Sequence, residues 1–407
     1  MGDDGTVTSP SAVSWRNLPD AVGRRLASAG SGAGLGLYLH VPFCATRCGY
    51  CDFNTYTAGE LGSSSSPQSW LAAVQRELDG AARLLGPRPV TTVFVGGGTP
   101  SLLGGDGLAD LLGAVRTSFD LAPGAEVTTE SNPESTSPEF FATIRDAGYT
   151  RVSLGMQSAA AHVLAILERT HTPGRALAAA REASAAGFEH VNLDVIYGTP
   201  GETDADLDAT LDAVLSAPVD HVSAYALIVE DGTAFARKVR RGEIPAPDDD
   251  VLASRYERID ARLSDAGFDW YEVSNWARGA DGACRHNEAY WRSDDWWGIG
   301  PGAHSHVAGA RWWNRIHPAT YATALDEGEW PGDGFEVVDA GDAHTEAVML
   351  RLRMRTGLPV SELDDGERAR ADTAVADGLL RVVDDAYVLT DAGRLLADGV
   401  VRQILVD

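Results

Sequence analysis

Short runs of β-branched and aliphatic residues alternate with longer helical stretches along most of this chain. Such alternation is typical of a parallel sheet wrapped by helices. The predicted strands are Gly36–Val41, Thr92–Val95, Val127–Glu130, Arg151–Leu154, His190–Val195, Val222–Ala226 and Phe268–Val273. The predicted helices between them include Gln68–Leu85, Leu108–Phe119, Pro138–Ala147 and Pro173–Ala186. The fold class is therefore α/β.

About six or seven strand–helix units fit an incomplete TIM-like (β/α)6 barrel, in which functional residues lie at the carboxyl ends of the strands. Polar residues do occur on or just after the predicted strands. They are Tyr38, His40, Gly96–Thr99, Glu130–Asn132, Gln157, Asp194 and Tyr225. The pattern therefore predicts a site at this end of the barrel.

Three parts are predicted along the chain: a flexible tail over residues 1–35, a partial barrel over 36–275 and a smaller α+β domain over 276–407. The tail is rich in Gly, Ser and Ala, which bury little apolar area. The last part combines helices with a hairpin and resembles a winged-helix unit. Its predicted elements are helices Ala343–Leu352 and Glu367–Asp377, a hairpin over Leu379–Thr390 with its turn at Asp384–Ala386, and a last helix Asp391–Ile404.

Composition limits the classes of protein to which this chain can belong. The 407 residues are 44% apolar, and the net charge of −26 disfavours nucleic acid, because that affinity depends on cations that neutralise phosphates. No apolar run approaches the length needed to cross a bilayer, and the first residues lack the features of a signal peptide. Four cysteines in a chain of this length predict metal chemistry in a reducing compartment rather than a disulfide scaffold. We expect a cytoplasmic protein.

Three of the cysteines form the motif C-x3-C-x2-C at Cys44, Cys48 and Cys51, directly after a predicted strand. Three thiolates in one loop can hold three irons of a [4Fe–4S] cubane and leave the fourth iron open. An open iron can bind the amino and carboxylate groups of S-adenosylmethionine and supply an electron for its cleavage. A zinc site or three unrelated thiols are the alternatives. Cys284, far downstream, is expected to be a buried thiol.

A glycine-rich turn, Gly96-Gly97-Gly98-Thr99-Pro100, follows the next predicted strand. Without Cβ atoms, its backbone could approach a ligand and offer N–H and C=O groups to the methionine part of S-adenosylmethionine. Glu130, at the end of the third strand, could bind the ribose hydroxyls. Each of these features has a purely structural explanation when taken alone.

Taken together, the motifs resemble the oxygen-independent coproporphyrinogen III oxidase-like family of radical-SAM proteins, over residues 36–400. The matching segments are Tyr38–Cys44, Gly96–Pro100, Glu130–Pro133, Ser153–Ser158, Asn192–Pro200 and His221–Tyr225. The true oxidases of this family have a further cysteine two positions after the last cluster cysteine, where this chain has Phe53. The motif H-N-x-x-Y-W is present at 286–291. Both features resemble the heme chaperone branch of the family.

The resemblance implies a set of binding residues. Those implied for the cluster-bound S-adenosylmethionine are Tyr38, Gly97, Gly98, Thr99 and Glu130, and those matching a second S-adenosylmethionine site are Tyr50, Gln157, Arg169, Asp194 and Ala226. One departure concerns the second site, because the usual L-G-R-x-H reads Leu167-Glu168-Arg169-Thr170-His171 here. A glutamate in place of that glycine puts the local backbone in question.

Heme would need an apolar slot, an axial ligand and cations for its propionates. The stretch 290–315, dense in Trp and His, could supply all three, although large aromatic residues most often serve packing. The candidate heme residues are His286, Asn287, Tyr290 and Trp291, with His286 as the first choice of axial ligand and His304 and Cys284 behind it.

Two functions follow from the resemblance. In the first, the protein binds heme and passes it to hemoprotein acceptors, while an electron donor such as a flavodoxin or ferredoxin serves the cluster. In the second, it is an oxidase that decarboxylates the propionates of coproporphyrinogen III to give protoporphyrinogen IX. Phe53 and the H-N-x-x-Y-W motif favour the carrier. RNA modification is disfavoured by the negative charge.

Overall fold

The computed structural model describes residues 15–30, 34–169 and 172–406. Within these ranges, none of the helices combines the length and the apolar character required to span a membrane.

A large mixed sheet runs through the molecule. The strands of the described residues are β1 (Leu35–Val41), β2 (Val90–Gly97), β3 (Leu121–Ser131), β4 (Arg151–Gln157), β5 (His190–Tyr197), β6 (His221–Ala226), β7 (Asp269–Glu272), β8 (Asn275–Ala277), β9 (Trp296–Ile299), β10 (His304–Val307), β11 (Ala310–Asn314), β12 (Gly332–Val337), β13 (Leu358–Pro359), β14 (Leu380–Val383) and β15 (Ala386–Leu389). In these residues the large sheet has twelve strands in the order β12-β11-β10-β9-β1-β2-β3-β4-β5-β6-β8-β7, and a second sheet has the order β13-β15-β14.

Strands β1 to β6 are parallel and consecutive, so each connection between them is a crossover. The helices are α1 (Asp20–Ser28), α2 (Ala58–Leu61), α3 (Pro67–Leu85), α4 (Gly104–Ser118), α5 (Pro138–Ala147), α6 (Ala161–Ile166), α7 (Arg175–Ala185), α8 (Asp204–Leu215), α9 (Ala234–Arg240), α10 (Asp249–Asp265), α11 (Arg285–Trp291), α12 (Pro318–Asp326), α13 (Ala340–Arg351), α14 (Asp365–Ala376), α15 (Asp391–Leu395) and α16 (Ala397–Leu405). Local sequence sets their starts: the Ser137 hydroxyl accepts from the Phe140 N–H at 3.2 Å and begins α5.

The six parallel strands form the incomplete barrel that the sequence predicts. β1 and β6 are not paired with each other, because β9 lies beside β1 and β8 lies beside β6. The carboxyl ends of β1 to β6 therefore meet along one edge, where the polar residues of the sequence pattern lie. β4 is buried along its whole length, as expected for a central strand covered on both faces.

The sheet continues beyond the domain boundary predicted at residue 275. β9 pairs in parallel with β1, and β10 to β12 extend the sheet by antiparallel pairing. Residues 296–337 thus belong to the same sheet as the barrel, and this link between distant segments could not be recognised from local patterning.

The prediction of a flexible tail over residues 1–35 is wrong for residues 20–28, which form α1. Val22 and Leu26 lie one helical turn apart and are buried against the main core. Trp15 is also buried and contacts Trp297, with 6.1 Å between the ring centroids. Residues 1–14 and 31–33 lie outside the described part of the chain.

The last part of the chain has a core of its own. The predicted helix, hairpin and helix are confirmed as α14, the β14–β15 hairpin and α15 with α16, and Leu396 separates the last two helices. Arg394 of α15 joins this part to α10 through two hydrogen bonds to Asp260, at 2.8 and 2.5 Å. The arrangement is α+β, and it packs against the β7 edge of the large sheet through Arg355 and Tyr271.

Candidate functional site

The cysteine loop follows β1 and is held by backbone hydrogen bonds on both sides. The Cys44 N–H donates to the Tyr56 carbonyl at 2.9 Å, and the Tyr56 N–H donates to Pro42 at 2.7 Å. The Thr99 N–H donates to the Phe43 carbonyl at 2.8 Å. The first cysteine is therefore fixed between its own loop and the turn after β2.

The glycine-rich turn uses its N–H groups within the protein. Gly97 N–H donates to Glu130 Oε2 at 3.0 Å, and Gly98 N–H donates to the Val41 carbonyl at 2.8 Å. A Cβ atom on Gly98 would lie 2.5 Å from the Phe43 carbonyl oxygen, so no other residue fits there. The turn thus positions the cysteine loop, and only its carbonyl groups remain for a ligand amino group, which differs from the expectation that both would be offered.

Two polar side chains contact the cysteine sulfurs. The Thr99 hydroxyl lies 3.7 Å from Cys44 Sγ, and Arg169 Nη1 lies 3.5 Å from Cys48 Sγ. Burial raises the pKa of Cys44, and it raises the pKa of Cys51 to about 11. Thiolates in this loop therefore need compensating positive charge, which Arg169 supplies in part.

Among the described residues, no three His, Cys, Asp or Glu side chains converge as ligands of a single metal ion would. In a cubane each thiolate binds a different iron, so a cluster does not require three side chains to converge on one ion.

A cavity of about 610 Å³ opens at the cysteine loop, at the carboxyl ends of the parallel strands. Nearly all binding residues expected from the sequence line it. They are Cys44, Cys48, Tyr50, Cys51, Gly97, Gly98, Thr99, Glu130, Gln157, Arg169, Asp194 and Ala226. Its wall also contains residues that were not singled out as ligands, among them Arg47, Phe53, Ser131, Asn132 and Ile228. They lie at or beyond the carboxyl ends of β1, β3 and β6, and this position was the available signal.

Glu130 lies between this cavity and a smaller one behind it. Burial, together with the nearby charge of Asp194, raises the pKa of Glu130 to about 8. Burial also raises the pKa of Asp194, although Asn192 Nδ2 donates to it at 2.6 Å and the Ser153 hydroxyl at 3.0 Å. Two carboxyl groups in the wall of the large cavity therefore favour a ligand that brings hydrogen-bond donors or positive charge.

Arg169 reaches across the end of β4, where its Nη2 donates to the Gly155 carbonyl at 3.3 Å. A Cβ atom on Gly155 would lie 2.7 Å from that Nη2, so the guanidinium lies directly against this glycine. Glu168 has a positive φ of 55°, the backbone region that favours the glycine it replaces, and its carboxylate pairs with Lys238 at 2.5 Å. The departure from L-G-R-x-H therefore leaves Arg169 in the cavity wall. Thr170 and His171 lie outside the described residues.

Tyr38 is near the cysteine cavity, because the smaller cavity beside it shares Gly97, Glu130 and Asp194 with the large one. It lines the smaller cavity, of about 250 Å³, with Phe94, His286 and Tyr290. Its hydroxyl forms a hydrogen bond with His40 Nδ1 at 3.0 Å. The assignment of Tyr38 to the cluster-bound S-adenosylmethionine stays a prediction.

His286 is 1% exposed, and both of its ring nitrogens are occupied. Nδ1 forms a hydrogen bond with the Thr92 hydroxyl and Nε2 with the Tyr290 hydroxyl, each at 2.8 Å. The ring stacks on Phe94, and burial lowers the pKa of His286 to about 4. A metal would have to displace one of these bonds, and the cavity beside it is smaller than the roughly 300 Å³ at which ligand pockets begin. The geometry does not favour His286 as an axial ligand.

The neighbours of His286 also serve the local packing. Asn287 Nδ2 reaches the Tyr271 hydroxyl at 3.5 Å, and Tyr290 packs edge-on against Trp296. Trp291 is half-buried. Cys284 is buried and donates to Glu126 at 3.4 Å, as the sequence predicts for a thiol that is not a ligand. These side chains line or support the barrel interior.

Comparisons with known proteins identify relatives of this chain in sequence and in structure. The family model described as the Radical SAM superfamily matches residues 38–214. The heme chaperone HemW of Mycobacterium tuberculosis is 63% identical over 374 residues, covering 92% of this chain and 95% of that protein. HemW of Escherichia coli is 34% identical over 386 residues, covering 92% and 98%. Coproporphyrinogen III oxidase (HemN) of Escherichia coli matches in structure with a TM-score of 0.82 at 22% identity, covering 97% of this chain and 94% of that one, which is a likeness of fold.

Proposed function

Because this chain belongs to the family of the heme chaperone HemW among the radical-SAM proteins, we propose that it binds heme and delivers it to hemoprotein acceptors. The observation that carries the proposal is 63% identity over 95% of the length of a protein named for that function. The partners proposed are heme, an acceptor hemoprotein and an electron donor such as a flavodoxin or ferredoxin.

The proposal includes a [4Fe–4S] cluster on Cys44, Cys48 and Cys51 with S-adenosylmethionine beside it. Two buried polar atoms of the large cavity, Arg169 Nε and Ser131 Oγ, have no hydrogen-bond partner among the described residues, as expected for groups that face a ligand. When bound, the cluster supplies an open iron and an electron. The chain then contributes three thiolates and the positive charge of Arg169 beside one of them.

Glu130 would bind the ribose of the cluster-bound S-adenosylmethionine, and Asp194 would bind a second S-adenosylmethionine. Both carboxyl groups line the large cavity, and each is held by protein donors, Glu130 by the Gly97 N–H and Asp194 by Asn192 and Ser153. Oxygen atoms that remain free can accept from ribose hydroxyls or from an amino group. The carbonyl groups of the glycine-rich turn complete the acceptors on the side of the cysteine loop.

The oxidase reaction is less well supported. Phe53, which stands where the resemblance places a further oxidase cysteine, is 57% exposed in the wall of the large cavity. Its ring offers an apolar surface at the mouth and no thiol. A flat apolar ligand would pack on such a ring, whereas the additional thiol chemistry has no substitute there.

An anaerobic assay separates the two functions. Reconstituted protein given coproporphyrinogen III, S-adenosylmethionine and a reductant is expected to form no protoporphyrinogen IX above a protein-free background. The same preparation is expected to develop a Soret band with hemin. Catalytic formation of protoporphyrinogen would reject the carrier function, and a missing Soret band would reject it independently.

The affinity for S-adenosylmethionine is expected to depend on pH through Glu130. Its raised pKa of about 8 leaves the carboxyl largely protonated at pH 7, whereas two ribose hydroxyls are best accepted by the ionised form. Binding should therefore tighten as the pH rises through about 8. Asp194, Tyr38 and Tyr290 are the other titratable groups near it.

Calorimetric titration of the reconstituted protein between pH 6.5 and 9 measures this dependence. Glu130→Gln should bind more weakly at high pH and lose the slope, while Glu257→Gln, at an exposed position on α10, should retain both. A wild-type affinity that does not change over this range would show that Glu130 is not coupled to the ligand.

A further inference from the structure

One histidine differs from all others that the structure describes. The ring nitrogens of His40, His162, His190, His221, His286, His306, His317 and His344 each have a hydrogen bond or an ion pair. Of the nine histidines in the described ranges, His304 alone has neither at its ring nitrogens. It is also exposed, at the start of β10. Its two nitrogens are therefore available to a ligand.

His304 lies on an aromatic face of the large sheet. In the pairing of β10 with β11 it stands directly opposite Trp313, and the two rings stack with 5.9 Å between centroids and 28° between planes. His306 and Trp296 are opposite each other two residues further along and point to the same side. We call these four residues the His304 face. This stack covers one face of the imidazole and leaves its nitrogen-bearing edge open.

Two glycines, Gly298 and Gly334, keep the surface beside the His304 face free of side chains. A Cβ atom on Gly334, opposite Trp313, would lie 2.2 Å from the indole ring, so the indole lies flat on the backbone of β12. Gly298, opposite the start of β10, could not hold a side chain either, since a Cβ there would lie 2.2 Å from the His304 carbonyl oxygen. The result is a shallow surface of aromatic rings and bare backbone, which suits a flat apolar ligand.

The His304 face adjoins the cysteine loop. Asn54 Nδ2 donates to the Pro301 carbonyl at 3.0 Å and to the Ile316 carbonyl at 2.8 Å, which ties the segment after Cys51 to the turns on either side of β10 and β11. Phe53 and Ile316 are both exposed here. A planar ligand held at His304 would thus lie next to apolar side chains that continue toward the mouth of the large cavity.

From this geometry we propose that His304 is the iron ligand of the heme cargo and that the His304 face is its docking surface. The inference rests on the proposed heme-binding function and replaces the buried His286 as the ligand. Heme iron binds a neutral imidazole through an unoccupied nitrogen. Partial burial lowers the pKa of His304, which keeps the ring neutral near pH 7. Trp296 and Trp313 offer the apolar area that the macrocycle needs.

Hemin titration of the full-length protein tests this assignment. His304→Ala should weaken hemin binding by about tenfold or more and shift the Soret band, since the axial bond is lost. His162→Ala, which removes another exposed histidine on α6, should match the wild type. Because His304 is exposed, the substitution leaves the core intact, and circular dichroism checks this.

A second variant distinguishes ligation from packing. In His304→Gly, added imidazole should restore the wild-type spectrum, because it can occupy the vacated position and bind the iron. An unchanged affinity and spectrum in His304→Ala, or a loss in His304→Gly that imidazole does not restore, would overturn the assignment. If the wild-type protein itself binds no hemin, the proposed function fails as well, so the two failures are distinct.

Discussion

Replacing Cys48 by serine is expected to abolish the iron–sulfur cluster. The three thiols of the cysteine loop are the ligands proposed, and Arg169 Nη1 lies 3.5 Å from the Cys48 sulfur. Loss of one of three protein ligands leaves the cubane unstable, so iron and sulfide should fall from about four of each per chain to nearly none. Iron analysis, sulfide analysis and the brown absorption of anaerobically reconstituted protein measure the loss.

Cys284→Ser is the matched control. Cys284 is buried and donates to Glu126 at 3.4 Å, outside the large cavity, so iron and sulfide should match the wild type. Stoichiometric zinc in the wild-type protein, or a full iron content in Cys48→Ser, would contradict the cluster assignment.

Replacing Glu77 by alanine is expected to have the largest effect on stability. This carboxyl group of α3 is fully buried and accepts from the Tyr321 hydroxyl at 2.5 Å, Asn314 Nδ2 at 2.8 Å and the Gly300 N–H at 2.9 Å. Trp297 Nε1 lies at 3.4 Å. Alanine leaves these donors unpaired in the core, and the free energy of unfolding should fall by about 3–5 kcal/mol.

Urea denaturation measures this difference in the free energy of unfolding, with Glu257→Ala as an exposed control that should stay within about 0.5 kcal/mol of the wild type.

Glu77→Gln tests whether the charge of the Glu77 carboxyl group affects stability. Burial raises the pKa of Glu77 to about 7, above its unfolded value, so its stabilising contribution is complete at low pH and is lost as the pH rises through 7. The wild type should therefore lose stability relative to Glu77→Gln between about pH 5 and 8. An equal pH profile in both proteins would contradict this.

The strands were predictable because their signal is local. In Val191–Val195, for example, the buried aliphatic residues Val191, Leu193 and Val195 alternate with Asn192 and Asp194, which is the two-residue period of a strand. Their ends were less clear. β4 was predicted to stop at Leu154 but continues to Gln157, whose φ of 67° accompanies an irregularity in the pairing with β5. The residue types at positions 155–157 give no sequence signal for such a bulge.

Within the site, the loop residues were easier to predict than the strand residues. Cys44 and Thr99 follow strands directly, so the barrel places them at the cavity. Tyr38 lies within β1, where the two-residue period places it on one face with His40, which it contacts. That period does not give the distance of Tyr38 from the cysteine loop.

His286 shows what the sequence could not supply. Its hydrogen bond to Tyr290 joins two residues four positions apart on α11, a spacing that can be recognised in the sequence. The bond to Thr92, 194 residues away, exists only because α11 packs on β2. Likewise, residues 20–28 were predicted as part of a flexible tail, because the core that buries Val22 and Leu26 is formed by segments far along the chain.

The hydrogen bonds around the cysteine loop have a consequence for how the protein matures. Backbone donors at Cys44, Tyr56, Gly98 and Thr99 all find acceptors within the polypeptide itself. These contacts need no bound metal, in contrast to zinc fingers, whose folding depends on the ion. When the proposed cluster is removed, we therefore expect the loop to keep these contacts and to accept a cluster again on reconstitution.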